Sequence, residues 1–373
     1  MAAQKLCTID GASIEQTDVA VSSSDGYEVL CSYNWTHQKQ PTIYVPGIQF
    51  PLTLSQDSGN QSTDKNARRA PKYHYESVFR AIEIMKPTYL FDDVDVLINR
   101  NSLRKLLDLC AGRRQESFRI NLYTVAKTLI VEMGEETIHK ILHGSSQGGY
   151  GHNFEAAITA PWQGMEGSVA HDRVLQYELG GLRCAVRFEV DAYIDGTATG
   201  PASGMESLVD SFDALQMQPP ATSTASGGHQ ALRVIPHGKL TEQSQSAEIK
   251  SWRKLKSTST VIPQMWFGRT PWLVKGHHDG GTFYKMDVEN AGEGFAQWES
   301  QERNQCALRK MSSLLEQLRD VVRDTESKSG IAVYLRHGEG SALQVFATTS
   351  TRKTLPDDVV ARFWSKGHAI PRG

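Results

Sequence analysis

Apolar and polar residues alternate one by one through the run Arg187–Ile194, where Val186, Phe188 and Val190 interleave with Arg187, Glu189 and Asp191. That period of two predicts a strand with Glu189 and Asp191 on one face. The run Ala247–Trp252 repeats the arrangement, with Ala247 and Ile249 pointing one way and Glu248 and Lys250 the other. Further strands are predicted at Tyr27–Trp35, in one or two pieces across Phe118–Met133, and at Ile331–Leu335 and Leu343–Thr348. Elsewhere the spacing is helical. Val78, Phe79, Ile82 and Met85 share one face up to Pro87, which ends the helix. Asp95–Cys110 reads as a strand running into a helix with a stripe of Leu103, Leu106, Leu107 and Cys110, which Asn101 or Ser102 would cap. The longest helix is predicted over Gln297–Val322, burying Trp298, Cys306, Met311, Leu314, Leu315, Leu318 and Val322.

Between these elements the pattern weakens. Residues 1–24 are polar and are expected to be a flexible N-terminus. Pro41–Leu54 reads as an extended segment on the surface, Ser55–Lys72 as a polar loop, and Glu135–His143 as a short helix. In Gly148–Thr159 glycines lead into a helical run with Glu155 near its start. The clearest change of composition is 195–246, rich in Gly, Ser, Thr, Ala and Pro. It is expected to be a partly disordered insertion containing one amphipathic helix, Met205–Met217, and to return through Leu232–Ile235. The expected architecture is therefore a flexible 1–24 followed by a single α/β domain over 25–373 that this insertion interrupts.

Composition narrows the class. A chain of 373 residues, 39% hydrophobic, has enough sequence for a sizeable core. Its net charge of −2 means that affinity for nucleic acid must come from a local basic patch. The five cysteines are scattered without a C-x-x-C pair, which fits reduced thiols and argues against a disulfide framework or a zinc site. No apolar run approaches the length of about 18 residues that spans a bilayer, and no secretory signal is evident. Asn34-Trp35-Thr36 matches a glycosylation acceptor by pattern and is read as chance.

The candidate chemistry lies on the two opening runs. If those strands pair with polar faces matched, Glu189, Asp191 and Glu248 converge with Lys250, and such a cluster is costly unless a cation sits in it. Hard oxygen ligands without thiol or imidazole favour Mg²⁺ or Mn²⁺. An acid followed after a gap by E-x-K is the pattern of PD-(D/E)xK nucleases, in which the metal polarises a phosphate and the lysine acts on the attacking water. The plainer alternative is two ordinary half-exposed strands. Arg100, at a strand-to-helix junction, suits a phosphate or a plain surface turn. Glu155 is either a fourth carboxylate of the cluster or an exposed first-turn acid. His277 and His278 are adjacent, so on a strand they point apart and make a poor zinc pair.

Taken in order, Asn99-Arg100-Asn101-Ser102-Leu103, Gly151-His152-Asn153-Phe154-Glu155, Phe188-Glu189-Val190-Asp191, Glu248-Ile249-Lys250 and Gln264 leading to Trp272-Leu273-Val274-Lys275-Gly276 and Asp279 resemble the successive motifs of the DXO decapping exoribonuclease family. The resemblance runs from Asp95 to the last long helix. It implies an α/β fold with a mixed central sheet flanked by helices, a PD-(D/E)xK-like core, and hydrolysis at RNA 5′ ends. The substrates implied are triphosphate ends, incomplete guanosine caps and nucleotide-cofactor caps such as NAD, with 5′-to-3′ exonuclease activity in several members. Carried over by residue, Glu155, Asp191 and Glu248 with the Ile249 carbonyl would hold two divalent ions, Mg²⁺ or Mn²⁺, and Glu189 would stand beside them. Lys250 and Gln264 would address the attacking water, and Arg100 would meet the RNA backbone. Trp252, Trp266 and Arg253 are candidates for the RNA groove. The resemblance also implies a nuclear or cytoplasmic monomer that docks a 5′-to-3′ exoribonuclease, away from membranes. Ser251 stands where threonine is usual in the family, and the insertion after Asp191 is long. The rival readings are a catalytically idle scaffold for such an exoribonuclease and a DNA nuclease of the same core.

Overall fold

A computed structural model of the chain describes residues 4–51, 60–62, 72–113, 115–134, 141–143, 155, 158–159, 162, 164–165, 167–194, 231–253, 257–279, 282–336, 342–348, 350 and 352–364. In chain order the first strands are β1 (Lys5–Asp10), β2 (Glu28–Thr36), β3 (Thr42–Gly47), β4 (Asn60–Ser62), β5 (Val96–Asn99) and β6 (Phe118–Val125). Next come β7 (Thr128–Met133), β8 (Ile141–His143), β9 (Ser168–Leu179), β10 (Leu182–Glu189), β11 (Ala192–Tyr193) and β12 (Arg233–Gly238). The last are β13 (Ser246–Trp252), β14 (Trp272–Asp279), β15 (Thr282–Asn290), β16 (Ser329–Tyr334) and β17 (Ala342–Ala347). The helices are α1 (Glu76–Met85), α2 (Arg100–Cys110), α3 (Ile262–Gly268), α4 (Phe295–Glu299), α5 (Glu302–Arg323) and α6 (Asp357–Phe363).

Among the described residues eleven strands form one mixed sheet in the order β1-β17-β16-β6-β7-β5-β10-β9-β2-β3-β12. Helices cover both of its faces, so its middle strands read as nearly continuous apolar runs, as in Val96-Leu97-Ile98. Val96, Ile98 and Val186 point into a core closed by the Leu stripe of α2 and by α5. Leu97, Ile130 and Ala185 point the other way, towards α1 and an aromatic cluster of Phe79, Phe91, Phe363 and Trp364. Burying each leucine of the α2 stripe contributes about 1.5–3 kcal/mol. A mixed α/β fold with a large sheet between helices is what the sequence predicts.

At the centre β7, β5 and β10 run parallel, so Met133, Asn99 and Glu189 end on the same edge. A second, four-stranded sheet, β11-β13-β14-β15, stands beside that edge. Its parallel pair β13 and β14 is joined through α3, a compact crossover.

Several expectations need correction. The first 24 residues are not all loose: β1 pairs with β17, and Ile14 and Val21 lie in the core. The β17 partners of β1 are over three hundred positions away, so no local pattern reveals the pairing. Pro41–Leu54 contributes β3, an inner strand with Ile43 and Val45 buried, rather than a surface strap. The expected return through Leu232–Ile235 is a strand, since Arg233–Gly238 forms β12 alongside β3, and with Gln243 also buried the bound of the insertion at 246 runs too far. Residues 195–230, including Met205–Met217, lie outside the described residues. Within Glu135–His143, residues 141–143 form β8 against β4 in 60–62 instead of a helix, and 135–140 fall outside the described set. The long last helix is broken at Ser300–Gln301, where α4 stops and α5 begins.

Candidate active site

The two acidic runs meet, though not as paired neighbours. β10 stops at Glu189, the chain bends through Val190 and Asp191, and only Ala192 and Tyr193 pair antiparallel with Ala247 and Ser246 of β13. Glu189 and Asp191 therefore do not share a continuous strand face; Glu189 ends the large sheet, and Asp191 occupies the turn into the second. From there Asp191 accepts the Ile249 backbone N–H at 2.8 Å. Along β13 the alternation holds, with Ala247 and Ile249 in a small apolar cluster and Glu248 and Lys250 on the opposite face.

Glu248, 1% exposed, is the hub. One carboxylate oxygen accepts from the Lys250 ammonium and the Gln264 amide, and the other accepts from Arg100 at 3.1 Å. Gln264 reaches it because α3 packs against α2 and β10, and its own amide oxygen accepts from Arg104 at 2.9 Å. Arg100 opens α2 and lies over the Phe188 ring, 5.3 Å from its centroid. Neither Asn101 nor Ser102 caps this helix. Asn99 holds the N-cap position, but its side chain is engaged by His74 and Arg187.

Arg104 went unnoticed in the sequence. Its signal was spacing: four residues after Arg100 it lies on the same helix face, one turn further on. Burial and the neighbouring Arg100 lower its pKa, so it is a partly desolvated cation held over the site.

The carboxylates divide by environment. Burial alone would raise Glu248, but Lys250 and Arg100 outweigh it and bring the carboxyl down to about 2. Burial lowers the affinity of Lys250 for its proton, yet Glu248 and Asp191 reverse the sign and raise it. Asp191 is pushed up to about 7 by burial and the nearby Glu248 charge. Glu155 is held well above the usual carboxylate range by burial and then by Asp191, Glu189 and Glu248. Most of the Gly148–Thr159 stretch lies outside the described residues, but Glu155 is described, and its carboxyl faces this cluster.

As the side chains stand, no three Asp, Glu, His or Cys groups among the described residues are gathered closely enough to hold an ion. Glu248 is turned instead towards its three donors. The donor set nevertheless fits a hard divalent cation: Glu155 and Asp191 offer carboxylate oxygens whose proton affinity is raised by burial and by neighbouring carboxylates more than Lys250 lowers it.

The aromatic candidates separate. Trp266 is 0% exposed and donates to Glu299 at 2.5 Å, so it is a core residue and not a stacking surface. Trp252 is also buried, whereas Arg253 is exposed beside Asp279 at 3.7 Å. His277 and His278 point apart, the first bonding Asp287 at 2.9 Å and the second packing on Phe283.

In overall shape the chain is similar to solved structures of fungal Rai1 and Dxo1. Scheffersomyces stipitis Rai1 matches with a TM-score of 0.61 and 13% identity over 95% of this chain and 97% of that one. Candida albicans Rai1, solved in complex with pU5-Mn²⁺, matches at 0.59 and 12% over 96% and 98%. K. lactis Dxo1, solved in complex with manganese, matches at 0.54 and 7% over 94% and 97%. At such identities the likeness concerns the fold, and for the fold the resemblance to the DXO proteins holds. No curated protein matches the chain by sequence. The family whose profile does match, over residues 4–364, is described as a domain of unknown function, DUF8563, and the chain belongs to it.

Proposed function

We propose that the chain hydrolyses phosphate linkages at the 5′ ends of RNA, with Mg²⁺ or Mn²⁺ held by Glu155, Asp191 and Glu248, assisted by Glu189 and the Ile249 carbonyl. The observation that carries this reading is the meeting of Asp191 and Glu155 with Glu248, whose carboxylate is shared by Lys250, Gln264 and Arg100. A structural salt bridge needs one cation for one carboxylate, whereas here the buried Glu248 and the half-buried Asp191 and Glu155 stand beside an arginine, a lysine and a primary amide. The fold likeness to Rai1, one structure of which carries pU5-Mn²⁺, supports both the metal and the RNA. A bound divalent ion would stabilise charge developing on a phosphoryl group. Arg100, at the free N–H end of α2, offers a planar fork to the phosphate. Lys250 and Gln264, turning from Glu248, would orient the water that attacks phosphorus and donate to a non-bridging phosphoryl oxygen, while Arg104 keeps the Gln264 amide aimed.

The departing group would be pyrophosphate, a cap nucleotide such as that of NAD, or a 5′ nucleotide. The test is purified protein with 5′-triphosphate, NAD-capped, guanosine-capped and 5′-monophosphate RNAs, in Mn²⁺, in Mg²⁺ and in EDTA. Release of a 5′ product in metal and none in chelator is expected. Cleavage of DNA alone, or no turnover of any end, would overturn the reading.

A further inference from the structure

The charged face of the second sheet continues past the proposed active site. Residues paired across β13, β14 and β15 share a side, so Glu248 and Lys250 lie with Lys275 and His277, and these with Asp287 and Lys285. The opposite side is apolar, with Ile249, Val274, Phe283 and Met286 in one cluster.

Tyr284 breaks this rule. Counting by twos from Met286 places it on the apolar side. A bulge intervenes: His277 pairs with Lys285 and His278 with Phe283, which leaves Tyr284 as the extra residue. Bulges re-aim side chains. The Tyr284 ring accordingly lies 6.4 Å from the His277 ring at 36°, on the side that carries Lys250, while remaining 69% exposed. Behind it His277 is fixed by Asp287 and by an edge contact to Trp252 at 6.3 Å. A large, solvent-facing ring braced from beneath, beside the exposed Lys285–Asp287 ion pair, is a surface on which a base can stack.

Its position is suited to a strand that starts at Glu248. Two residues along β13 and two strands across the sheet separate Tyr284 from Lys250, about 12 Å at the usual strand rise and spacing. That is too far for the reacting 5′ nucleotide itself and within reach of the nucleotides that follow it.

We infer that Tyr284, turned by the bulge onto the charged face, is a stacking platform for a nucleobase downstream of the 5′ end bound at Glu248. This rests on the reading of that site as acting on RNA. The experiment measures dissociation constants of 5′-phosphorylated oligouridylates of two, four and six nucleotides with the full chain, its Tyr284→Ala variant and its Tyr284→Phe variant, alongside turnover of triphosphate RNA by the unaltered protein. Wild-type affinity should climb with length. In Tyr284→Ala the six-nucleotide ligand should bind about tenfold more weakly, so that the gain from two to six nucleotides shrinks, while Tyr284→Phe keeps the gain. An unchanged gain in Tyr284→Ala overturns the platform and leaves the site reading standing. Loss in Tyr284→Phe equal to that in Tyr284→Ala overturns stacking in favour of a hydroxyl contact. If the unaltered protein neither turns over triphosphate RNA nor binds any length, the site reading fails and the platform with it.

Discussion

Glu248 and Asp191 occupy one cluster but should respond in opposite ways to losing their charge. Glu248 sits at about 2 against an ordinary value of 4.5, because Lys250 and Arg100 more than offset its burial. At about 1.4 kcal/mol per pH unit this is worth about 3 kcal/mol of stability, present above about pH 5 and lost as the pH falls towards 2. Glu248→Gln removes it and strands two desolvated cations, for which a loss of about 3–5 kcal/mol is usual. Asp191 is the reverse case. Its carboxyl is raised to about 7, so ionisation costs the native state nothing below about pH 4 and the most above about pH 7. In Asp191→Asn the amide oxygen can still accept the Ile249 N–H, and the penalty disappears. Urea unfolding in EDTA should therefore show Glu248→Gln destabilised at pH 8 and Asp191→Asn equal to or more stable than the unaltered protein, its advantage vanishing by pH 4. Both should lose turnover in Mn²⁺ by orders of magnitude. The inverse order of stabilities, or an active Asp191→Asn, would refute the assignment of charge within the site.

Other outcomes follow from single contacts. EDTA should abolish turnover and Mn²⁺ or Mg²⁺ restore it; full activity in chelator would remove the metal from the mechanism. Arg104→Ala takes away the charge-assisted bond that aims Gln264, which should lower kcat/KM about 10–100-fold with little change in oligonucleotide affinity; kinetics and binding read side by side check this. Trp266→Phe loses the buried bond to Glu299 and should cost about 1–3 kcal/mol by urea unfolding while leaving RNA affinity unaltered. Deleting residues 1–11 uncovers β17 and should lower the urea midpoint, and an unchanged midpoint would show that β1 contributes nothing to the sheet.

Local periodicity made the strands and helices around the site legible. The alternation in Glu248-Ile249-Lys250 sorts those side chains correctly because one face of β13 packs in an apolar cluster and the other carries the charges, and the Leu stripe of α2 orients Arg100 by the same logic. The bend at Val190–Asp191 was not legible, since nothing in that dipeptide distinguishes a continuing strand from one that changes sheets. Pairings between distant segments, β1 with β17 and β12 with β3, leave no local trace either. Trp266 was offered for RNA because tryptophan suits both stacking and cores, and only its placement on the inward side of α3 decides between them. Arg104 could have been found by stepping four residues along α2 from Arg100.

The arrangement around Glu248 also bears on how a cluster of carboxylates can persist in a folded chain. Glu155, Glu189, Asp191 and Glu248 would repel one another at close range, and Asp191 is raised by its burial and then by the Glu248 charge. Lys250 and Arg100 relieve it by holding the most buried member, Glu248, between them. A divalent ion entering among Glu155, Asp191 and Glu248 would take over that neutralisation, freeing the ammonium of Lys250, the guanidinium of Arg100 and the amide of Gln264 to face a phosphate instead. On this account the same cations that stabilise the metal-free protein become the groups that bind substrate, so charge balance couples the two binding events. Substrate phosphate and metal should then each tighten the binding of the other by the same factor, as linkage requires. Titrating Mn²⁺ with and without a non-hydrolysable 5′-triphosphate oligonucleotide measures that factor, and independent binding would mean that Arg100 and Lys250 stay with Glu248 throughout.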